Sequence, residues 1–309
     1  MADITTNLTG TAQLDNSAVL AFEQSFLIAN GQENVMDALA QVRWDIGAKS
    51  IDMTKYARLA AATTPLNERE EVTSAAMSDT QILLTPVEYG NVVTTTALSS
   101  LQSGGKVDLA SAQVVGINAG ETQNALAIAA LDASSNAYII GGTAAGSVTS
   151  GQVASRTFFN YFYNKLARAN VQKINGDYVV VAHDDVIHDL RADTSAGSWI
   201  DVNKYATPET ILPNEVGSFA GFRVVRNNAA TFADQTGAGT VDLYNSYFFG
   251  ANAFGKAVSQ DVSIGFTQTD KMNRFLNVYW KGVFKYGIID QDALWLGMSA
   301  SSVGPGNAA

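Results

Sequence analysis

KSIDMTKYARLAAATTPLNEREEVTSAAMSDTQILLTPVEYGNVVTTTAL, residues 49–98, is the stretch on which the fold turns. Its ends are rich in β-branched and aromatic residues, with Ile82, Leu84 and Val87, then Val92, Val93 and a run of threonines. Its middle, TTPLNEREEVTSAAMSD, is polar and broken by proline. The pattern predicts two long strands joined by an extended loop of about 20 residues, a length that in a compact domain marks a functional segment or one that reaches a partner.

The flanks read as follows. Upstream, SAVLAFEQSFLIANG opens on a capping serine, Ser17, places Val19, Phe22 and Phe26 on one face, and stops at Asn30-Gly31, so a helix is expected. Residues 32–48 read as a looser continuation of that helix, ending at Gly47. Downstream of Gly104-Gly105, an alanine-rich segment carries Leu109, Val114, Ile117, Leu126 and Leu131 at roughly helical spacing. One long helix is expected there, with Gly116 and Gly120 permitting close packing or a bend. AYIIGGTAAGSVTSG gives a short strand and a glycine-rich turn, and VASRTFFNYFYNKLARANV an amphipathic helix with Phe158, Phe162, Leu166 and Ala169 on one face. DYVVVAHDDVIHDLRAD is a buried strand running into a helix, where Asp184 and Asp185 suit the positive N-terminus and Val186 and Leu190 face inward. Strands, glycine turns and aromatic residues fill the last third. The class is α+β, without an internal repeat or a clean linker.

Composition excludes several functions. A chain of 309 residues, 47% hydrophobic and 16% charged, has ample material for a core and is not globally disordered. A net charge of −10, with no offsetting basic cluster, opposes sequence-specific binding to nucleic acid. The absence of cysteine removes disulfides, thiolate metal sites and cysteine nucleophiles together. MADITTNLTG lacks the basic and apolar regions of a secretory signal, and ALAIAAL at 125–131 is far short of the ~20 residues a membrane span needs, so a soluble protein is expected.

Three stretches invite a chemical reading. IIGGTAAGSVTSG resembles a phosphate-binding turn but lacks the Lys-Ser/Thr of a P-loop, and Gly141, Gly142 and Gly146 miss the dinucleotide spacing, which favours an ordinary hairpin turn. His183 and His188, in HDDVIHD with Asp184, Asp185 and Asp189, could hold zinc or manganese. Five residues apart on a helix they lie about 140° apart, which favours a strand-to-helix junction with solvated acids. NEREEV, Asn67–Val72, clusters carboxylates, but in a loop that neither desolvates nor spaces them for acid/base work. No serine sits in a nucleophile elbow, so no catalytic residue, metal or cofactor is expected.

The order of these parts resembles the major capsid proteins of tailed bacteriophages, with the Hong Kong 97-type fold. TTPLNEREEVTSAAMSDTQILLTPVEYGNVVTTTAL looks like the extended loop and returning strand of one branch of that family. NGDYVVVAHDDVIHDLRADTSAGSW is similar to a strand followed by histidine-proline and, after a gap, Asp-Leu-Arg, with Asp184 standing where the proline is expected. EVGSFAGFRVVRNN, residues 215–228, resembles a glycine-bracketed strand of the same domain, and FFGANAFGKAV and NVYWKGVFKYGIIDQDALWLG resemble the closing strands. The order of all of them is the specific signal.

The resemblance implies an α+β Hong Kong 97-type fold divided into an N-terminal arm (1–48), an extended loop (49–90), a peripheral domain with a spine helix (91–180), an axial domain (181–270) and returning peripheral strands with the C-terminus (271–309). It implies pentamers and hexamers of an icosahedral head enclosing double-stranded DNA, in a virion assembled in the host cytoplasm. Implied partners are further copies of the chain, portal, scaffolding or decoration proteins, and packaged DNA held without specific contact; no membrane is implied. Intersubunit contacts are expected at Pro65, Asn67, Glu68, Arg69, Glu70 and Glu71 of the loop, and at Arg223 and Arg226, reaching from a turn bracketed by Gly217 and Gly221. Some relatives join subunits by a lysine–asparagine isopeptide bond from this loop, but residues 59–80 contain no lysine. Some relatives lose an N-terminal domain to a protease, which Met1 in a mature shell would argue against. An encapsulin-type compartment of similar fold is the nearest alternative, and a nucleotide-dependent enzyme built on the glycine turn a distant one.

Overall fold

The computed structural model describes residues 22–303 apart from 32–33, 48, 143, 194–214, 234–235, 239–240, 269, 271 and 273. Ser17 and Val19 of the first expected helix, residues 194–199 of the second quoted stretch and the tail from 304 lie outside them. Residues 22–31 are helical (α1). The expected continuation of that helix through 32–48 is corrected: after a single 3-10 turn at Asp37–Leu39, Gln41–Trp44 forms a strand, β1. It pairs in parallel with residues 255–258, and a strand of that length forms only because that partner supplies its ladder.

The extended loop is rooted in a hairpin, β2 (Ile51–Tyr56) against β3 (Asp79–Leu84), with Ile51 opposite Leu84 and Tyr56 opposite Asp79. Thr85-Pro86 divides the returning strand, because proline cannot donate to a ladder, and β4 (Val87–Thr96) joins a different sheet. Thr96 caps α2 (Ala97–Ser103) by accepting from the Ser99 amide at 3.2 Å. Gly104 and Gly105, both left-handed, turn the chain into α3 (Lys106–Asp132). Then follow β5 (Ala137–Ile139), α4 (Arg156–Arg168), β6 (Tyr178–Ala182), α5 (Asp184–Ala192), β7 (Glu215–Phe219), β8 (Phe222–Arg226), β9 (Phe232–Ala233), β10 (Leu243–Phe249), the long hairpin β11 (Phe254–Gln268) and β12 (Phe275–Ile288), and β13 (Leu294–Ala300).

Two sheets organise the chain. One has the order β1-β11-β12-β4; the other runs β5-β13-β10-β6-β8-β7, with β9 beside β10. The second is buried on both faces, and its residues alternate accordingly. Val179, Val181, Val225, Tyr247 and Phe249 face Ala127, Ile128 and Leu131 of α3, whereas Val180, Val224 and Phe248 face α4 and α5. On the α4 side Phe158, Phe159, Phe162 and Phe222 surround Phe248, with Phe162 stacked on it at 4.0 Å. Gly297 admits these rings: a Cβ there would stand 2.8 Å from Phe158, Phe162 and Phe248. Ala169, expected on the buried face of α4, is instead the exposed residue just past its end.

The long helix α3 spans both sheets, but its buried face is not the one its larger apolar residues suggest. Val115, Gly116, Ala119 and Gly120 are buried, whereas Leu109, Val114 and Ile117 are exposed. Gly116 is the reason: α1 crosses so closely that a Cβ would lie 2.7 Å from the Phe26 carbonyl oxygen. Polar contacts fix the helix on both sides. Asn124 and Asn227 exchange hydrogen bonds at 2.9 Å, and Asp132 accepts from Thr231, Asn245 and the Tyr247 hydroxyl. Gln123 donates to Asn30 and accepts from Asn34 and from Lys256, which is 2% exposed and sits 2.7 Å from Asp37. Tyr286 donates to the same Asp37 oxygen at 2.9 Å.

Burial, then the charge of Asp37, pushes Tyr286 well above the ordinary tyrosine value; burial does the same for Tyr247, opposed by hydrogen bonding to Thr231 and reinforced by the charge of Asp132. A raised tyrosine stabilises the fold fully below the unfolded value of about 10 and loses that contribution as pH climbs towards the folded one. Stability is therefore expected to fall by about 1.4 kcal/mol per pH unit for each tyrosine above about pH 10. Denaturant midpoints across that range check it, and Tyr286→Phe should flatten the slope.

Candidate intersubunit surfaces

Every residue from 56 to 81 is exposed, so the loop carrying Pro65, Asn67, Glu68, Arg69, Glu70 and Glu71 contributes no buried residue to the cores of its own chain. Its local structure is sparse: Asn67 Oδ1 accepts from the Arg69 amide at 3.2 Å, closing a turn at the tip. The carboxylates of NEREEV stand on this solvated turn. Sequence reasoning weighed these polar residues and missed the apolar ones beside them. Leu59, Leu66, Val72 and Met77 are all exposed, Leu66 at 76%. Large apolar side chains on a segment with neither helical nor strand period were the available signal.

The root of the loop is tied down. Lys55 Nζ lies 2.6 Å from Asp290 and 3.6 Å from Asp292, and Arg58 donates to the Asn170 carbonyl at 2.5 Å. Partial burial pulls the Lys55 ammonium down, but the hydrogen bond and charge of Asp290, with Asp292 behind them, leave it above the ordinary lysine value. Pairs as exposed as these are worth roughly 0–1 kcal/mol each, so they orient the root more than they stabilise the fold.

The stretch EVGSFAGFRVVRNN is the hairpin β7–β8. Its turn is Ala220-Gly221, both at positive φ, as the primed turns of two-residue hairpins require. Gly221 also makes room for the Tyr163 ring, 2.6 Å from where a Cβ would be. Gly217 does not bracket the turn; it sits where the register slips within β7. Arg223, 12% exposed, is turned inward to Glu215 at 3.4 Å and Asp177 at 3.8 Å. Arg226 is 54% exposed, 3.6 Å from Asp184, and presents its guanidinium outward. Both guanidiniums are paired within the chain, and the two arginines differ in exposure, the first largely buried and the second half open to solvent.

The stretches read for chemistry are structural. Gly141 and Gly142 stand against the side chains of Gln152 and Ser147, so the glycine turn is filled by its own chain rather than open to a phosphate. Only a single 3-10 turn, Ala145–Ser147, follows it. His183 caps α5 by accepting from the Asp185 amide at 3.2 Å, while His188 is exposed beside Asp189. Asp189 itself accepts from the amide and hydroxyl of Ser302. Among the described residues no group of three histidines or carboxylates converges on a metal position, and no helix is long and apolar enough to cross a membrane.

No family model and no curated protein matches the sequence. Solved structures do. A chain from the capsid of Ralstonia phage GP4 superposes with a TM-score of 0.72 at 14% identity, over 89% of each chain. The cyanophage Pam1 capsid gives 0.65 at 13% identity, over 83% of this chain and 86% of that one. A virus-like particle from Pyrococcus furiosus gives 0.57 at 11% identity, over 90% and 98%. With its rooted loop, its spanning helix α3 and its two sheets, this chain has the α+β fold of tailed-phage capsid proteins, the Hong Kong 97-type fold.

Proposed function

We propose that this chain is the major capsid protein of a tailed phage, forming the pentamers and hexamers of an icosahedral head around double-stranded DNA. The observation that carries the reading is the loop at 57–78: a chain with well-filled cores leaves this whole segment exposed, apolar side chains included. Such a segment finds its burial on neighbouring copies, and closed symmetry multiplies each weak contact around the particle. The intersubunit set comprises Pro65, Asn67, Glu68, Arg69, Glu70 and Glu71 from the loop and Arg226 from β8, with Arg223 holding β8 in place through Glu215. The division at residues 48, 90, 180 and 270 into arm, loop, peripheral and axial regions belongs to the same reading. So do the portal, scaffolding or decoration partners, the virion location and assembly in the host cytoplasm. A net charge of −10 suits a wall that confines DNA without gripping it.

The likeness to a virus-like particle favours one alternative, an encapsulin-type shell around protein cargo. Sedimentation velocity and negative-stain microscopy of the recombinant chain test the shared claim. Closed particles or capsomer rings are expected. A monodisperse monomer, persisting when the neighbouring reading frames of its genome are co-expressed, overturns both readings. Nuclease-protected DNA inside native particles selects the head, and a protein cargo selects the compartment.

A further inference from the structure

Charge is not spread evenly over this chain. Residues 133–176 contain Arg156, Lys165, Arg168 and Lys173 and neither aspartate nor glutamate, a local +4 within a net −10, so the remainder carries −14. The four are too far apart in sequence to form a basic run, but α4 gathers them. Arg156, Asn160, Asn164 and Arg168, four residues apart and all exposed, form one row along the helix, about 18 Å from end to end at 1.5 Å per residue. Lys165 flanks the row over the rings of Tyr161 and Trp295, both at 5.3 Å, and Lys173 flanks it over Tyr163 and Tyr178, at 5.2 and 5.4 Å. The rings steady these ammonium groups without neutralising them. Among the described residues Lys165, Arg168 and Lys173 form no ion pair. The acids of neighbouring elements are engaged elsewhere, Asp177 and Glu215 with Arg223, Asp184 with Arg226 and Asp189 with Ser302.

We propose that this face of α4 is a contact surface for the phosphate backbone of duplex DNA. Charge selects the occupant: a row of guanidinium and amide groups flanked by two ammoniums suits successive phosphates, which such groups hold without reading bases. The length of the row matches about five base pairs at 3.4 Å each. The aromatic side chains select the duplex over a single strand, because each ring beside the row is already covered by a lysine and offers no free face on which an unpaired base could stack. The negative charge carried elsewhere keeps the contact light, since the rest of the surface repels the same polyanion. This contact rests on the shell reading for the source of its DNA, and it turns the α4 side of the second sheet towards the inside of the shell.

The unassembled chain tests it, titrated against a short fluorescent DNA duplex at about 50 and about 200 mM salt. Contacts from Lys165, Arg168 and Lys173 alone should make binding about forty-fold weaker at the higher salt. Arg168→Gln and Lys173→Gln each remove one contact and should each bring that ratio down to about twelve-fold, whereas Lys285→Gln, on β12 of the other sheet, should leave it unchanged. All three positions are exposed, so the variants are expected to keep the unmodified chain's melting temperature. Absence of binding at the lower salt overturns the proposal, as does a salt dependence that Arg168→Gln and Lys173→Gln leave as it was. So does assembly that needs a higher concentration of these two variants, which would give the face to a second copy. Capture of polyglutamate in place of the duplex overturns it too, and would give the face to an acidic protein. Particles that form normally from a chain without affinity for DNA leave the shell reading standing; DNA binding by a chain that never forms particles removes the shell reading and keeps the face.

Discussion

Replacing residues 58–77 by Asn-Gly is expected to abolish particle formation while leaving the chain folded. The Ala57 amide donates to the Ser78 carbonyl just beyond the Tyr56–Asp79 pair, so a two-residue primed turn between Ala57 and Ser78 closes β2 on β3 without changing their register. The deleted residues are all exposed, so no core is opened. Their removal shortens a loop, whose closure entropy changes only slowly with length, and the fold should hold within about 1 kcal/mol. Assembly should fail outright, because contacts repeated at every subunit interface vanish together. Urea midpoints and sedimentation velocity on the same preparation separate the two effects. Particles of normal size from the shortened chain would remove the loop from the assembly machinery.

The second large effect is on the fold itself. Phe248→Ala is expected to cost about 3–5 kcal/mol, enough to consume much of a domain's stability. The ring is fully buried on β10, stacked on Phe162 and met by Phe158, Phe159 and Phe222. Those neighbours cannot collapse into the void, because the strand beneath is held by α3 on its opposite face. Denaturant unfolding of the unassembled chain measures the loss, and Phe248→Leu should fall between. A loss below about 1 kcal/mol would mean that the cluster is not close-packed.

Much of this was legible in the amino acids. The polar, proline-broken stretch between strand-forming residues announced an extended loop, and YVVVA followed by two aspartates announced a buried strand entering a helix. The misreadings share a cause: local pattern gives an element's type but not its neighbours. Gln41–Trp44 lies within the stretch 32–48 that reads as a loose continuation of the first helix, yet a strand forms because residues 255–258 offer it a ladder. Leu109, Val114 and Ile117 look like the seam of α3, but the seam is Gly116 and Ala119, chosen by how closely α1 approaches. Arg223 and Arg226 are indistinguishable in a list of residues; only the positions of Glu215 and Asp177 turn the first inward. At the loop, the charged residues drew attention because charge is read as contact, whereas Leu66 beside them is a large apolar side chain left 76% exposed.

The parallel pairing of β1 has a consequence for synthesis. Gln41 emerges from the ribosome long before its partner Gly255 exists. At about 5–20 residues per second the interval is on the order of tens of seconds. Throughout it the nascent chain exposes Val42 and Trp44 with no ladder to join. Completion of this sheet therefore waits for the synthesis of residues 255–288, so that the first strand to be made is among the last to find its place.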